Sequence, residues 1–162
     1  MSRRDLLIAP ALEAALISVM ALAGWITHQP LMFASLGPTA YELVETPERQ
    51  SARPYNIIMG NLVAIIGAFL ALGLTHASAV APVSSSGVPF LRVWAVIFAA
   101  AFTVFGTLLL KATQPAALST TLLMSLGVMQ TWKDGAIIMI AVLLMTLMGE
   151  PVRRMRTKRR QQ

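Results

Sequence analysis

The chain has 162 residues, 56% hydrophobic and 12% charged, with a mean hydropathy of +0.68. A soluble domain carries roughly 25% charged residues, so this chain lacks the polar surface to coat a globule in water and belongs to the polytopic membrane class. Its net charge of +6 is a tail property, because six of the thirteen Lys/Arg lie between Arg153 and Arg160. That placement suits anionic lipids, and no basic face with polar or aromatic readers for nucleic acid is visible. Cysteine is absent, which excludes disulfides, thiol catalysis and cysteine metal sites.

Residues 1–5 form a short polar start with Arg3 and Arg4. Leu6 to Thr27 is the first long apolar segment. Arg3-Arg4, the apolar run and Ala21-Leu22-Ala23 mimic the parts of a signal peptide, but Pro10 and Glu13 inside the run argue against cleavage. A short segment follows, from about Leu31 to Val44, where Pro38 predicts irregular backbone up to Ser35-Leu36-Gly37 and helix from Pro38. Glu42, Glu45, Glu48, Arg49 and Arg53 make a polar connection. Pro54 to Thr75 is the second long segment, with Gly60, Ala64, Gly67, Ala68 and Ala71 at spacings that allow close helix contact in lipid. Residues 76–87 read as an Ala/Pro/Ser loop, flexible at Ser84-Ser85-Ser86. Val88 to Leu110 is the third long segment, with Arg92 and Trp94 as interface anchors. A second short segment runs from Pro115 to about Val128. Trp132, Lys133 and Asp134 mark another interface, Gly135 to Gly149 is the last and rather short apolar run, and the basic tail 152–162 ends the chain.

The expected fold is all-α: one integral membrane domain over residues 1–162, long–short–long twice, with an internal repeat at about 6–75 and 88–149. A spanning helix needs about 20 apolar residues, and the short segments have about 14. They are therefore re-entrant, giving four crossings, or tilted, giving six. Counting Lys/Arg inside and outside, six crossings give 11:2 and four give 9:4, so six obeys the positive-inside rule better. Both arrangements put both termini on the cytoplasmic side of a cell inner or plasma membrane. Two repeat registers compete: Gln29-Pro30 on Gln114-Pro115, an offset of 85, and Thr39-Ala40 on Thr120-Thr121, an offset of 81, which is preferred.

The two short segments carry the candidate chemistry. Short, Pro/Gly-interrupted apolar segments at corresponding places of two halves point to a transport site. A helix that starts inside the membrane aims unsatisfied N–H groups and roughly half a positive charge at what lies before it, which suits a small anion. Ser35, Gly37 and Thr39 in the first segment, and Gln114, Pro115, Ser119 and Thr120 in the second, form the candidate site. Asn61, in the second long segment, adds a group that lines a path or bonds across helices. The plainer alternative is that small residues let helices pack, while Ser and Thr bond their own backbone. Thr107, in a long segment, serves as the comparison outside the site. Glu13 is either intramembrane and functional or interfacial. His28 and His76 read as interfacial, and Met139, Met145 and Met148 as packing.

Several spaced stretches resemble one family. Gln114-Pro115-Ala116-Ala117-Leu118-Ser119-Thr120-Thr121-Leu122-Leu123 is similar to the signature of the HPP family of integral membrane proteins, His-Pro-Pro-Ala-Gly-Ala-Thr-Ala-Leu-Leu. Ser35-Leu36-Gly37-Pro38-Thr39-Ala40 resembles the family's Ser-Leu-Gly-Ala-Thr-Ala. Arg53-Pro54-Tyr55-Asn56-Ile57-Ile58-Met59-Gly60-Asn61 resembles its Gln-Pro-Arg-Asn-Val-Ile-Gly-Gly-His. The name-giving histidine is Gln114 here, the second proline Ala116, the glycine Leu118 and the later histidine Asn61. The resemblance implies a bundle usually described as four membrane helices, and a role in moving small nitrogen oxyanions such as nitrite.

The sequence thus points to a small transporter or channel-like protein for a small inorganic anion, with the bilayer and the anion as partners and a homo-oligomer expected. The alternative is a non-transporting membrane subunit or scaffold. An intramembrane enzyme is the weakest reading, since no metal spacing, nucleophile–base pair or cofactor loop appears and no cofactor is expected.

Overall fold

The computed structural model describes residues 5–160. Arg3 and Arg4, and Gln161 and Gln162 of the tail, lie outside the described residues. Among the described residues there are seven α-helices and no strand. They are α1 (Asp5–Thr27), α2 (Leu36–Glu45), α3 (Pro54–Thr75), α4 (Val83–Ser86), α5 (Phe90–Leu109), α6 (Ala116–Ser125) and α7 (Trp132–Arg160). Four of them, α1, α3, α5 and α7, are long and apolar enough to cross a membrane.

Local chemistry sets the boundaries. Pro54 opens α3 at the first helical position, where its missing N–H costs nothing. α2 starts at Leu36, earlier than predicted, because Pro38 in the first turn removes only an N–H that would be orphaned anyway. α1 and α5 end alike. His28 and Lys111 each take a left-handed φ of 51°. The N–H of the next residue then reaches back, Gln29 to the Gly24 carbonyl (3.2 Å) and Ala112 to the Thr107 carbonyl (2.8 Å). This is the Schellman closure of orphan carbonyls, here without glycine.

Three sequence expectations need correction. The last run does not stop near Gly149. α7 is 29 residues long and continues through Pro151, so the basic tail is the end of the same helix. Residues 76–87 hold a 3₁₀ turn (Ala77–Ala79) and the single helical turn α4, not a featureless loop. Arg92 is no interface anchor. Its side chain is wholly buried, while Trp94 does face outward.

A few contacts settle which ends lie together. Tyr55 at the start of α3 donates Oη–H to the Leu110 carbonyl just past α5 (3.0 Å). Phe69 near the end of α3 stacks on Trp132 at the start of α7, with ring centroids 4.2 Å apart. Arg153, late in α7, donates to the Pro47 carbonyl just past α2 (3.2 Å). Arg92, early in α5, donates to the Ser125 carbonyl that ends α6 (3.1 Å). So α2, α5 and α7 finish at one end, the tail end, where α3 begins. At the opposite end α3 and α6 finish, and α5 and α7 begin. α1 lies antiparallel to the chain that follows it: Gly24 abuts Gln29 and Leu31, and Ile17 and Met20 border a cavity with Phe33 and Gly37. The chain passes through the bundle six times, and α1 and α3 are parallel. A re-entrant excursion returning to its own side would have made them antiparallel.

α3 is the central helix, packed on α5, α6 and α7. Its small residues do what their spacing predicted. A Cβ at Gly67 would lie 3.1 Å from Thr103 Oγ1, and a Cβ at Gly60 would lie 2.7 Å from Gln114 Cβ. With no hydrophobic drive between helices in lipid, such close approach and the dispersion it recovers hold the bundle. The equivalent landmarks of the two halves keep no single offset: 83 at the caps His28 and Lys111, 80 at the first residues of α2 and α6. The connection 28–35 is three residues longer than 111–115, which shifts the register between cap and short helix.

Candidate functional site

Both short helices begin inside the bundle and run outward in opposite directions, and the start of α2 lies beside the second turn of α6. Ser35 precedes α2, and Thr120 lies in the second turn of α6. Thr120 Oγ1 donates to Asn61 Oδ1 of α3 at 2.6 Å and lies 2.9 Å from Ser35 Oγ. A hydroxyl has one proton, so the second contact needs the Ser35 hydroxyl as its donor. Asn61 Nδ2 donates to the Ile57 carbonyl (2.9 Å), and Thr39 Oγ1 to the Ser35 carbonyl (2.8 Å). All four residues are buried, Asn61 and Thr120 at 0% exposure. A buried hydroxyl must find a partner or forfeit its desolvation cost. Here the two short segments and α3 supply one another.

Of the other predicted site residues, Gln114 flanks this cluster from across Gly60, next to Asn61 in the chain. Its Oε1 accepts from the Ala116 N–H (3.0 Å), and its Nε2 is buried without an acceptor. Gly37 is half-buried and borders the cavity against α1. Pro115 is exposed and Ser119 half-buried, and neither joins the cluster. Glu13 is half-buried on α1, away from these groups.

The start of α6 offers fewer free donors than a bare helix end. The Ala117 N–H goes to the Gln114 carbonyl (3.0 Å) and the Leu118 N–H to the Pro115 carbonyl (3.1 Å). Three tight local bonds, counting that of Ala116, absorb the first N–H groups. The positive end of the helix dipole remains at residues 115–117, one turn before Thr120.

Two cavities sit at matching places, each between a long helix and the chain entering a short one. The first, about 340 Å³, is bordered by Ile17, Met20, Met32 and Phe33. The second, about 200 Å³, is bordered by Thr103, Thr107, Gln114 and Leu118 among others. Thr107 therefore stands at the site's edge and is no outside comparison. Thr146 on α7, buried and bonded to the Val142 carbonyl (2.7 Å), serves better.

Sequence reasoning missed two groups of residues. Thr103 on α5 and Thr121 on α6 share a buried hydroxyl–hydroxyl bond of 2.8 Å. The spacing of Thr103 and Thr107, one turn apart on one helix face, was the available signal. Two arginines are buried at the C-termini of the short helices. Arg156 of α7 donates from Nε to the Val44 carbonyl of α2 (3.1 Å), with Glu45 at 3.8 Å, and Arg92 reaches the end of α6. Cations there complement the negative helix end. Only Gly127, bare against the Arg92 guanidinium, hinted at the second of these.

Comparison with known proteins adds one match. The family model described as HPP, transmembrane region, covers residues 1–162. No curated protein and no solved structure matches the chain.

Proposed function

We propose that this chain, which belongs to the HPP family of membrane proteins, carries a small inorganic anion of the nitrite class through its bundle. One observation carries the reading: the start of α2 meets the second turn of α6 over the buried Ser35, Asn61 and Thr120 groups. The positive end of α2 meets neutral donors there, and weak neutral donors suit an ion that must leave again. An anion entering there exchanges neutral hydrogen bonds for charge-assisted ones, which are roughly twice as strong. The basic end, with Arg49, Arg53, Lys111 and the close of α7, faces the cytoplasm in this reading, and a homo-oligomer completes the assembly.

The second reading is a non-transporting membrane subunit or scaffold. It is favoured by the closure of the cluster on itself and by the locally consumed N–H groups of α6. Flux separates the two. Vesicles containing only this protein should take up nitrite faster than protein-free vesicles; uptake equal to that of empty vesicles removes the transport reading.

A further inference from the structure

Arg92 is the largest fully buried side chain among the described residues. Its Nη1 donates to the Ser125 carbonyl (3.1 Å), and its Nη2 to the Val80 carbonyl (2.6 Å) and Gln130 Oε1 (2.8 Å). All three acceptors are neutral, and its Nε is buried without an acceptor. The other buried or half-buried arginines differ: Arg153 pairs with Glu150 at 2.7 Å, and Arg156 has Glu45 at 3.8 Å. Gly127 leaves the room for the guanidinium, since a Cβ there would lie 2.5 Å from Nη2.

Resting on the transport reading, we propose that Arg92 sets the charge selectivity of the path. Without it, α6 would present its negative C-terminal end to ions entering from the end opposite the tail, which favours cations. The buried guanidinium reverses that sign. Ser125, whose carbonyl it binds at 3.1 Å, lies five residues of helix or roughly 7.5 Å beyond Thr120, which puts the guanidinium roughly 10 Å from it. At that range, even at an effective dielectric of about 20, one uncompensated charge separates anions from cations. Arg92 acts on the permeant ion through its field while it holds α6 in place.

The test is the ratio of nitrite to sodium flux in vesicles containing only the purified chain, with folding checked by gel filtration. Arg92→Gln should lower that ratio at least about tenfold, while Arg92→Lys keeps most of it. Gln130→Glu covers the case in which Arg92→Gln fails to fold. It leaves the arginine and its two carbonyl bonds in place and sets a carboxylate against Nη2, so the ratio should fall comparably. A folded Arg92→Gln or Gln130→Glu protein with unchanged selectivity overturns the proposal. An unmutated chain that passes no nitrite overturns the transport reading itself.

Discussion

The two halves lay out long, short and long helices in the same order, yet they are packed differently. α5 of the second half is locked onto α3 of the first: Gly67 lies under Thr103, and Gly106 faces Val63. The start of α6 is pressed against Gly60, and the adjoining cavity is edged by Thr103, Thr107 and Gln114. In the first half α1 is the most outward of the long helices, with Leu22, Trp25 and Ile26 exposed, and its cavity is bordered by Ile, Met and Phe. Small and polar residues thus concentrate on one long–short seam, and the other is sealed by adaptable apolar side chains. Methionine tolerates reshaping where glycine contacts do not. The α1–α2 seam is therefore the compliant one, and the α3–α5–α6 seam holds the tight contacts.

The sharpest way to break this contrast is with glycines. Gly60→Leu forces side-chain atoms into Gln114 and should destabilise the protein by up to about 3 kcal/mol. Gly37→Leu meets no neighbour within 4 Å of its Cβ and should be nearly neutral. Thermal unfolding in one detergent compares them, and equal losses would erase the difference between the seams.

A somewhat smaller effect is expected at the centre, where the halves meet. Thr120→Val removes the donor to Asn61 Oδ1 and the partner of Ser35, at a cost of about 2 kcal/mol. Thr146→Val removes only a bond to its own helix and should cost well under half as much. If the central cluster binds the anion, Thr120→Val also lowers nitrite flux per folded molecule, and Thr146→Val does not. Similar flux in both variants would make the cluster a packing device.

The smallest effect refines the comparison within the second half. The Ala116 N–H is the donor that Gln114 Oε1 accepts. A proline at that position, as in the family triplet, has no N–H to give. Ala116→Pro alone should therefore cost about 1 kcal/mol by orphaning the amide oxygen. Gln114→His together with Ala116→Pro should recover part of that loss, a coupling readable in a double-mutant cycle. The imidazole also adds a titration between about pH 5 and 8, with its charged form at low pH favouring an anion. Strict additivity and a flat pH profile would show that positions 114 and 116 are not coupled.

Composition alone placed this chain in a bilayer, since no folding can hide so large an apolar excess from water. The bounds of the long helices were legible to within a residue or two, except for α7, because apolar length, prolines and the residues after each helix act locally. Much of the polar centre was legible too: Ser35, Thr39, Asn61 and Thr120 are polar groups in apolar runs, and such groups must find one another. The tertiary structure decided the rest. Whether a short segment turns back or passes through depends on which end receives it, and that is settled by partners dozens of residues away, such as Tyr55 with Leu110 or Arg153 with Pro47. The basic tail read as a separate element, because nothing local says that Pro151 will be tolerated once Gly149 is seated against Leu43. Arg92 read as an interface anchor for the same reason. A lone arginine near the end of an apolar run is drawn to headgroups unless the fold brings it carbonyls, and Val80, Ser125 and Gln130 come from two other stretches of the chain.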